Sequence, residues 1–315
     1  RLAKLAEIAK SANVIPARMN FVDIAGLVKG ASQGEGLGNQ FLANIREVDA
    51  VLYVLRCFED GDVTHVAGKV DPLADYETVE TELMLADLDS LEKRRVTLEK
   101  KAKTGDKEAK AQLGLVDLAL EELREGRPAR RADIPADQAR EWKMLQLLTS
   151  KPVLFVANVD EDSAATGNEF SKEVEARAAE EGAGCVVISA KIEAELALLE
   201  PDEREEYLAE LGLEEPGLNR LIHAGYALLD LQTYFTAGPK EARAWTIRKG
   251  WTAPKAAGVI HGDFERGFIR AETIAYDDYV AAGGEAGARE AGKLRQEGKE
   301  YVVQDGDVML FKFNV

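Results

Sequence analysis

The sequence predicts an α/β protein, a parallel sheet interrupted by an α-helical hairpin and followed by a smaller mixed domain. Three observations predict it. Strand-like apolar runs at Ala50 to Leu55, Lys151 to Ala157 and Cys185 to Ile188 alternate with helical segments, the pattern of a parallel sheet. Between the first two strands, residues 77–125 are rich in Leu, Glu, Lys and Ala with helical apolar spacing. From about Leu231 the texture changes to short strand-like runs punctuated by Gly and Asp.

In chain order, residues 1–10 are expected to be helical, and Met19 to Val22 to form a strand leading into Asp23. Asn39 to Glu47 reads as a helix ahead of the buried strand at 50–55. In the middle segment, Leu83, Leu88, Leu91 and Leu98 keep one face apolar. Thr104-Gly-Asp106 breaks the pattern, and Leu113, Val116, Leu120 and Leu123 resume it. Two antiparallel helices around that turn make a hairpin. The strand at 151–157 ends at Asn158, Phe170 to Glu181 reads as a helix, and the strand at 185–188 ends at Ser189-Ala-Lys191. The last region is expected to hold strands at 244–247, 267–272, 301–303 and 308–311, with helical spacing near 254–260 and 287–295. The predicted divisions are 1–76 and 148–230 for the two parts of the α/β domain, 77–147 for the helical insertion and 231–315 for the terminal domain.

Composition bounds the function. The 315 residues suffice for two or three domains, and a hydrophobic fraction of 46% is ordinary for a globular chain. A net charge of -17 argues against broad non-specific nucleic-acid binding, which needs a positive surface. A local exception lies near the hairpin turn, where Lys93, Arg94, Arg95, Lys100, Lys101, Lys103, Lys107 and Lys110 gather. They form either a solvated helix face or a docking surface for RNA or an acidic partner. Cys57 and Cys185 lie in apolar runs without disulfide or metal spacing, which fits a reducing, cytoplasmic setting. No apolar run is long enough to span a membrane.

In open α/β sheets, ligand loops lie at the carboxyl ends of strands, and Asp23, Asn158 and Ser189 all fall there. Asp23-x-x-Gly26 opens into a run with glycines at 30, 34, 36 and 38. An aspartate at a strand end can hold Mg²⁺ through water, and a glycine amide three residues on can reach a γ-phosphate. The loop beyond can order or relax with that phosphate. His65, in a polar loop, is a candidate to orient water or donate to a phosphate. His223 and His261 are expected to be structural.

The extended Asp23 to Leu42 run resembles the second switch of Obg-type P-loop nucleotide hydrolases. Leu27 stands where Ras-like enzymes place a water-orienting Gln, so another group must hold the attacking water. Guanine-specific relatives carry Asn-Lys-x-Asp in the base loop, whose Asp accepts protons from guanine N1 and the 2-amino group. Here the loop is Asn158-Val-Asp-Glu161. Adenine carries neither proton, Asn158 can pair with its N6/N7 edge, and Val159 is expected to pack on the ring face, so ATP is favoured over GTP.

With Arg56-Cys-Phe-Glu59, His65 to Pro72, Glu215-Pro-Gly-Leu-Asn219, Leu231 to Gly238, Ala253 to Ala257 and Gln304-Asp-Gly-Asp307, the whole chain resembles the YchF-type Obg-like ATPases. The resemblance implies a P-loop NTPase G domain, a coiled-coil insertion and a β-grasp TGS domain. It also implies slow hydrolysis of ATP and association with ribosomes, in or near translation or stress regulation. By the same resemblance, Asp23 is a water-mediated Mg²⁺ contact, Gly26 senses the γ-phosphate and His65 is the catalytic candidate. Asn158, Val159, Glu161, Ser189 and Ala190 form the base site. RNA contact is expected through Lys93, Arg94, Lys100, Lys101, Lys103 and the TGS domain. No Gly-x-x-x-x-Gly-Lys-[Ser/Thr] occurs in the sequence. The phosphate loop and first switch are expected upstream of Arg1, and a polypeptide starting at Arg1 is expected to bind nucleotide poorly. Two other readings stand beside this one, an Obg-type GTPase and a nucleotide-independent RNA- or ribosome-binding module.

Overall fold

The computed structural model describes residues 1–24, 37–60 and 69–314. It contains two compact units, Val22–Leu228 and a second made of Arg1–Phe21 with Leu229–Val315.

Helix α1 (Leu2–Ala9) arises as the sequence predicts and buries Leu5 completely. Strand β1 (Asn13–Ile15) then pairs in parallel with residues 241–243. The first 21 residues therefore fold with the C-terminal unit and not, as the sequence predicts, with the α/β domain. Long-range pairing of a three-residue strand leaves no local periodicity to read. The strand expected at Met19 to Val22 carries no ladder. A strand needs a hydrogen-bonded neighbour, and no described segment pairs with it; Phe21 and Val22 stand 46% and 57% exposed.

In the unit of residues 22–228, helix α2 (Leu37–Glu47) precedes strand β2 (Val51–Arg56). Helices α3 (Pro72–Lys103) and α4 (Lys107–Arg124) form the hairpin. Asp71 caps α3 by accepting from the Ala74 amide at 3.1 Å, with Pro72 in the first turn, where its missing N–H costs nothing. The turn falls at Thr104-Gly105-Asp106. Gly105 takes φ 91°, and Asp106 caps α4 through the Ala109 amide at 3.0 Å. Arg94 reaching Gln112, Arg95 reaching Asp117 and Arg124 reaching Glu92 fix the antiparallel register. Leu91, Leu98, Leu115, Val116, Ala119, Leu120 and Leu123 fill the seam, and Trp142 of helix α5 (Ala139–Met144) joins the same core. The hairpin is rooted by Leu83, which packs on Leu42, Ile45 and Leu148. Beside it the buried Asp87 carboxylate accepts from the amides of Leu148 and Thr149 and from the Thr149 hydroxyl, at 2.7–2.9 Å. Burial nonetheless holds the Asp87 pKa above the usual range, the hydrogen bonds only partly offsetting it.

Strands β3 (Val153–Asn158) and β4 (Gly184–Ile188) follow, with helix α6 (Glu169–Glu180) between them. Strands β2, β3 and β4 form a parallel sheet in that order, Tyr53 opposite Phe155 and Phe155 opposite Cys185. Helices α7 (Ala190–Leu196), α8 (Pro201–Glu210) and α9 (Gly217–Leu228) complete the unit, and α9 covers one sheet face through Leu221, Ala224 and Leu228.

The C-terminal unit carries β5 (Leu231–Ala237), β6 (Glu241–Arg248), α10 (Ala253–Gly258), α11 (Gly262–Arg266) and β7 (Phe268–Ile274). Helices α12 (Tyr276–Ala281) and α13 (Glu285–Glu290) and strands β8 (Arg295–Glu297) and β9 (Val308–Phe313) follow. Its sheet order is β1-β6-β5-β9-β7-β8, with β9 parallel to β5 and antiparallel to β7. Apart from β1, this places the second, first, fifth, third and fourth strands side by side, a mixed sheet that fits the β-grasp expectation. The strand expected at 301–303 reduces to one bridge, Val302 opposite Thr252. Strand β5 was not anticipated, because Leu231-Gln-Thr-Tyr-Phe-Thr-Ala237 is buried on both faces through residues 232–235 and so shows no alternation.

Candidate functional site

The candidate site lies at the carboxyl ends of β2, β3 and β4. Along β3, Val153, Phe155 and Ala157 point to one face and Leu154 and Val156 to the other. The alternation runs past the strand end. Val159 therefore turns inward, 3% exposed among Tyr53, Leu55 and Cys57, while Asn158 turns toward the neighbouring loop. The Val159 side chain is thus a core residue. Little of it remains to pack on a base, which corrects the role expected from its place in the motif.

Asn158 is the hub of the loop. Its Oδ1 accepts from the Ala190 amide at 2.9 Å, and its carbonyl accepts from the Cys57 amide at 2.8 Å. Its Nδ2 makes no hydrogen bond to the described residues and is left to donate. The Val159 amide donates to the Ile188 carbonyl at 2.8 Å, so three strand ends are tied together. Ser189 is 3% exposed, and its hydroxyl has no partner among the described residues.

The two acids of the loop are both engaged. Asp160 accepts from the Ser163 amide at 2.9 Å, closing the turn after the strand. Glu161 is ion-paired with Lys191, whose hydrogen bond draws its carboxyl below the usual range. Lys191 and Asn168 are the residues that the site reading lacked. Asn168 caps α6 and donates from Nδ2 to the Cys57 carbonyl at 2.7 Å, bracing the loop from behind. Its signal was readable in Asn168-Glu-Phe-Ser171, a capping box.

Helix α7 is held in turn. Glu193 accepts from the amides of Gly217 and Leu218 at 2.7 and 3.1 Å, at the positive end of α9. A Cβ on Gly217 would come within 2.8 Å of Ile188 Cγ2 and 3.0 Å of Glu193 Oε1, which accounts for glycine in Glu215-Pro-Gly-Leu-Asn219.

Asp23 is exposed, in a segment without regular structure, and makes no hydrogen bond or ion pair with the described residues. Gly26 and His65 lie outside the described residues. Among the described residues no three His, Cys, Asp or Glu side chains stand together as a metal cage. His261 caps α11 through the Asp263 amide at 3.2 Å, as a structural role requires, and His223 lies exposed on α9. Burial pushes the thiol of Cys57 up to about 12 and that of Cys185 up to about 11, which favours the protonated thiol in both.

Behind the site lies a buried ionic cluster that the sequence did not reveal. Arg130 contacts Glu80 of α3 at 2.6 Å and Glu181 at 2.8 Å. Tyr53 of β2 donates to Glu80, and Tyr76 donates to Glu181 at 2.6 Å. Arg177 adds a second cation on Glu181 at 3.0 Å. The cluster joins the sheet, the base of the hairpin and the end of α6. At the other end of the hairpin, Lys93 is paired with Asp89 and Arg95 with Glu99 and Asp117, and Arg94 is half-buried. Lys100, Lys101, Lys103, Lys107 and Lys110 are exposed and form no ion pair among the described residues.

Comparison with known proteins agrees with this architecture. A model of the 50S ribosome-binding GTPases matches residues 6–88, and a YchF GTPase C-terminal model, described as a protein of unknown function, matches residues 231–314. The "Ribosome-binding ATPase YchF" of Haemophilus influenzae is 57% identical over all of this chain and 86% of its own length. The Bacillus subtilis protein of the same name is 54% identical, with 87% of its length covered. The solved structure titled as the Schizosaccharomyces pombe YchF GTPase superposes with a TM-score of 0.85 at 35% identity, covering 99% of this chain and 84% of that one. A GTP-binding protein from Pyrococcus horikoshii, at 20% identity and a TM-score of 0.56, shares the fold. Fold and an identity of 54–57% over the whole of this chain converge: this chain belongs to the YchF family.

Proposed function

We propose that this protein is a slow ATP-hydrolysing switch that binds the ribosome from the cytoplasm. The observation that carries the nucleotide assignment is the state of the two base-loop acids. Guanine recognition needs a free carboxylate to accept its N1 and 2-amino protons. Here one oxygen of Asp160 accepts from the Ser163 amide, and Glu161, at the acceptor's place in the loop, is paired with Lys191. Adenine asks for no such acceptor. Asn158 Oδ1 is held by the Ala190 amide and so is not free for the adenine N6 group, and Nδ2 is left for N7, which both purines carry. Ser189 and Ala190 frame the base from the neighbouring loop.

Asp23 suits a hydrated cation, because its carboxylate is exposed and has no partner among the described residues. Mg²⁺ characteristically keeps several waters and takes one or two carboxylates plus phosphate oxygens, so a closed cage is not needed. Bound with the triphosphate, it would neutralise charge on the β- and γ-phosphates. Gly26 would report on the γ-phosphate through its amide, and His65 would orient the attacking water in place of the Gln that Leu27 replaces.

For the ribosome, the uncommitted lysines at the hairpin turn support an RNA contact, with Lys93 and Arg94 less available than the sequence suggested. The C-terminal unit, read as a TGS domain, is the second contact. The name of the fission-yeast structure favours one other reading, GTP hydrolysis. Hydrolysis of ATP and of GTP by the full-length protein separates the two, with ATP expected to turn over several-fold faster at equal concentration. Faster turnover of GTP would reject the assignment.

A further inference from the structure

Lys191 is the third residue of Ser189-Ala-Lys191. Its ammonium pairs with Glu161, the lysine side chain 67% and the glutamate 35% exposed, and the shift of each group's pKa favours the charged form. The lysine is delivered from a fixed frame. The Ala190 amide is held by Asn158, Ile192 is 1% exposed, and Glu193 is anchored to the start of α9. Glu161 is the fourth residue of the base loop, the place at which a guanine site presents its acceptor.

We propose that Lys191 is a positioning residue that sets base preference: by holding the Glu161 carboxylate it withdraws the acceptor that guanine requires, while Asn158 Nδ2 is left for the N7 that both purines carry. This rests on reading Asn158–Glu161 as the base loop of an ATPase. Guanine would have to displace the ammonium before Glu161 could accept its two protons. Adenine meets no such cost. The length of Glu161 then matters less than its partner, because a longer carboxylate freed of Lys191 still accepts hydrogen bonds.

The test is calorimetric titration of the full-length protein with MgATP and with MgGTP, for the wild type, Lys191→Met, Lys191→Arg and the double variant Lys191→Met with Glu161→Gln. Lys191→Met is expected to shift the GTP-to-ATP affinity ratio about fivefold toward GTP, a size set by the modest strength of partly exposed ion pairs. Its ATP affinity should stay within about twofold, since adenine does not use the acceptor. Lys191→Arg should keep the wild-type ratio, and the double variant should return to it. An unchanged ratio in Lys191→Met, or a parallel loss of both affinities, overturns the proposal, the second outcome meaning that the lysine serves the fold or touches nucleotide itself. A wild type that prefers GTP removes the ATP reading, and with it this inference, before any variant is made.

Discussion

Asn158 shows what one side chain contributes here. Its carboxamide is split between two tasks, with Oδ1 fixing the Ala190 amide and Nδ2 left open. Asn158→Ala loses the open donor and orphans the Ala190 amide, so ATP affinity should fall by about tenfold, within the range of one or two such hydrogen bonds. Titration of the variant measures this, and an affinity within twofold of wild type would show that Nδ2 does not meet the base. Asn158 was legible in the sequence because a strand end followed by a polar loop has few other uses. The inward turn of Val159 was legible in principle from the alternation of β3, but the motif drew attention to the wrong face. The partner of Glu161 was not legible, because Lys191 lies 30 residues away and only the sheet brings the two loops together.

At the scale of elements, the turn of the hairpin is legible in the sequence to the residue, while its first helix begins at Pro72 and not near 77. Helical spacing is local, and Thr104-Gly-Asp106 combines a positive φ with an N-cap. Its anchoring was hidden, since nothing around Pro128-Ala-Arg130 announces a buried cation. Arg130→Met leaves Glu80 and Glu181 buried without that charge, and should destabilise the 22–228 unit by about 3–5 kcal/mol in denaturant unfolding. A loss near zero would mean that the cluster is dispensable.

The same cluster sets a pH dependence. Burial raises the Glu181 pKa, but hydrogen bonds from Tyr76, Arg130 and Arg177 outweigh it and leave the group below its usual value. A carboxyl depressed in the folded state adds stability that is fully present above its unfolded pKa, about 4.3, and is lost as pH falls through the folded value. Asp87, raised by burial, acts in the opposite sense, gaining stability as it protonates on acidification. Comparing wild type with Arg130→Met cancels the Asp87 effect. The wild type should lose more thermal stability than the variant between pH 4.5 and pH 3, a range of roughly one unit around and below the unfolded carboxyl value. Equal losses would place the acid sensitivity elsewhere. At the hairpin turn, reversing Lys100, Lys101 and Lys103 to Glu should weaken ribosome sedimentation and flatten its salt dependence by up to about three counterions. Unchanged binding would assign the ribosome contact to another surface.

For the whole molecule, the sheet of β2, β3 and β4 was legible because parallel strands buried on both faces read as continuous apolar runs. The grouping of residues 1–21 with the C-terminal unit was not, because it depends on β1 finding β6 more than 220 residues away. In the base loop a guanine acceptor is present in composition, as Glu161, but paired with Lys191 in structure. The most direct test is titration calorimetry of the full-length protein with ATP and with GTP in the presence of Mg²⁺. ATP is expected to bind more tightly. Tighter binding of GTP would mean that Asp160 or Glu161 is released to accept from guanine, and would group the protein with the Obg-type GTPases in its specificity.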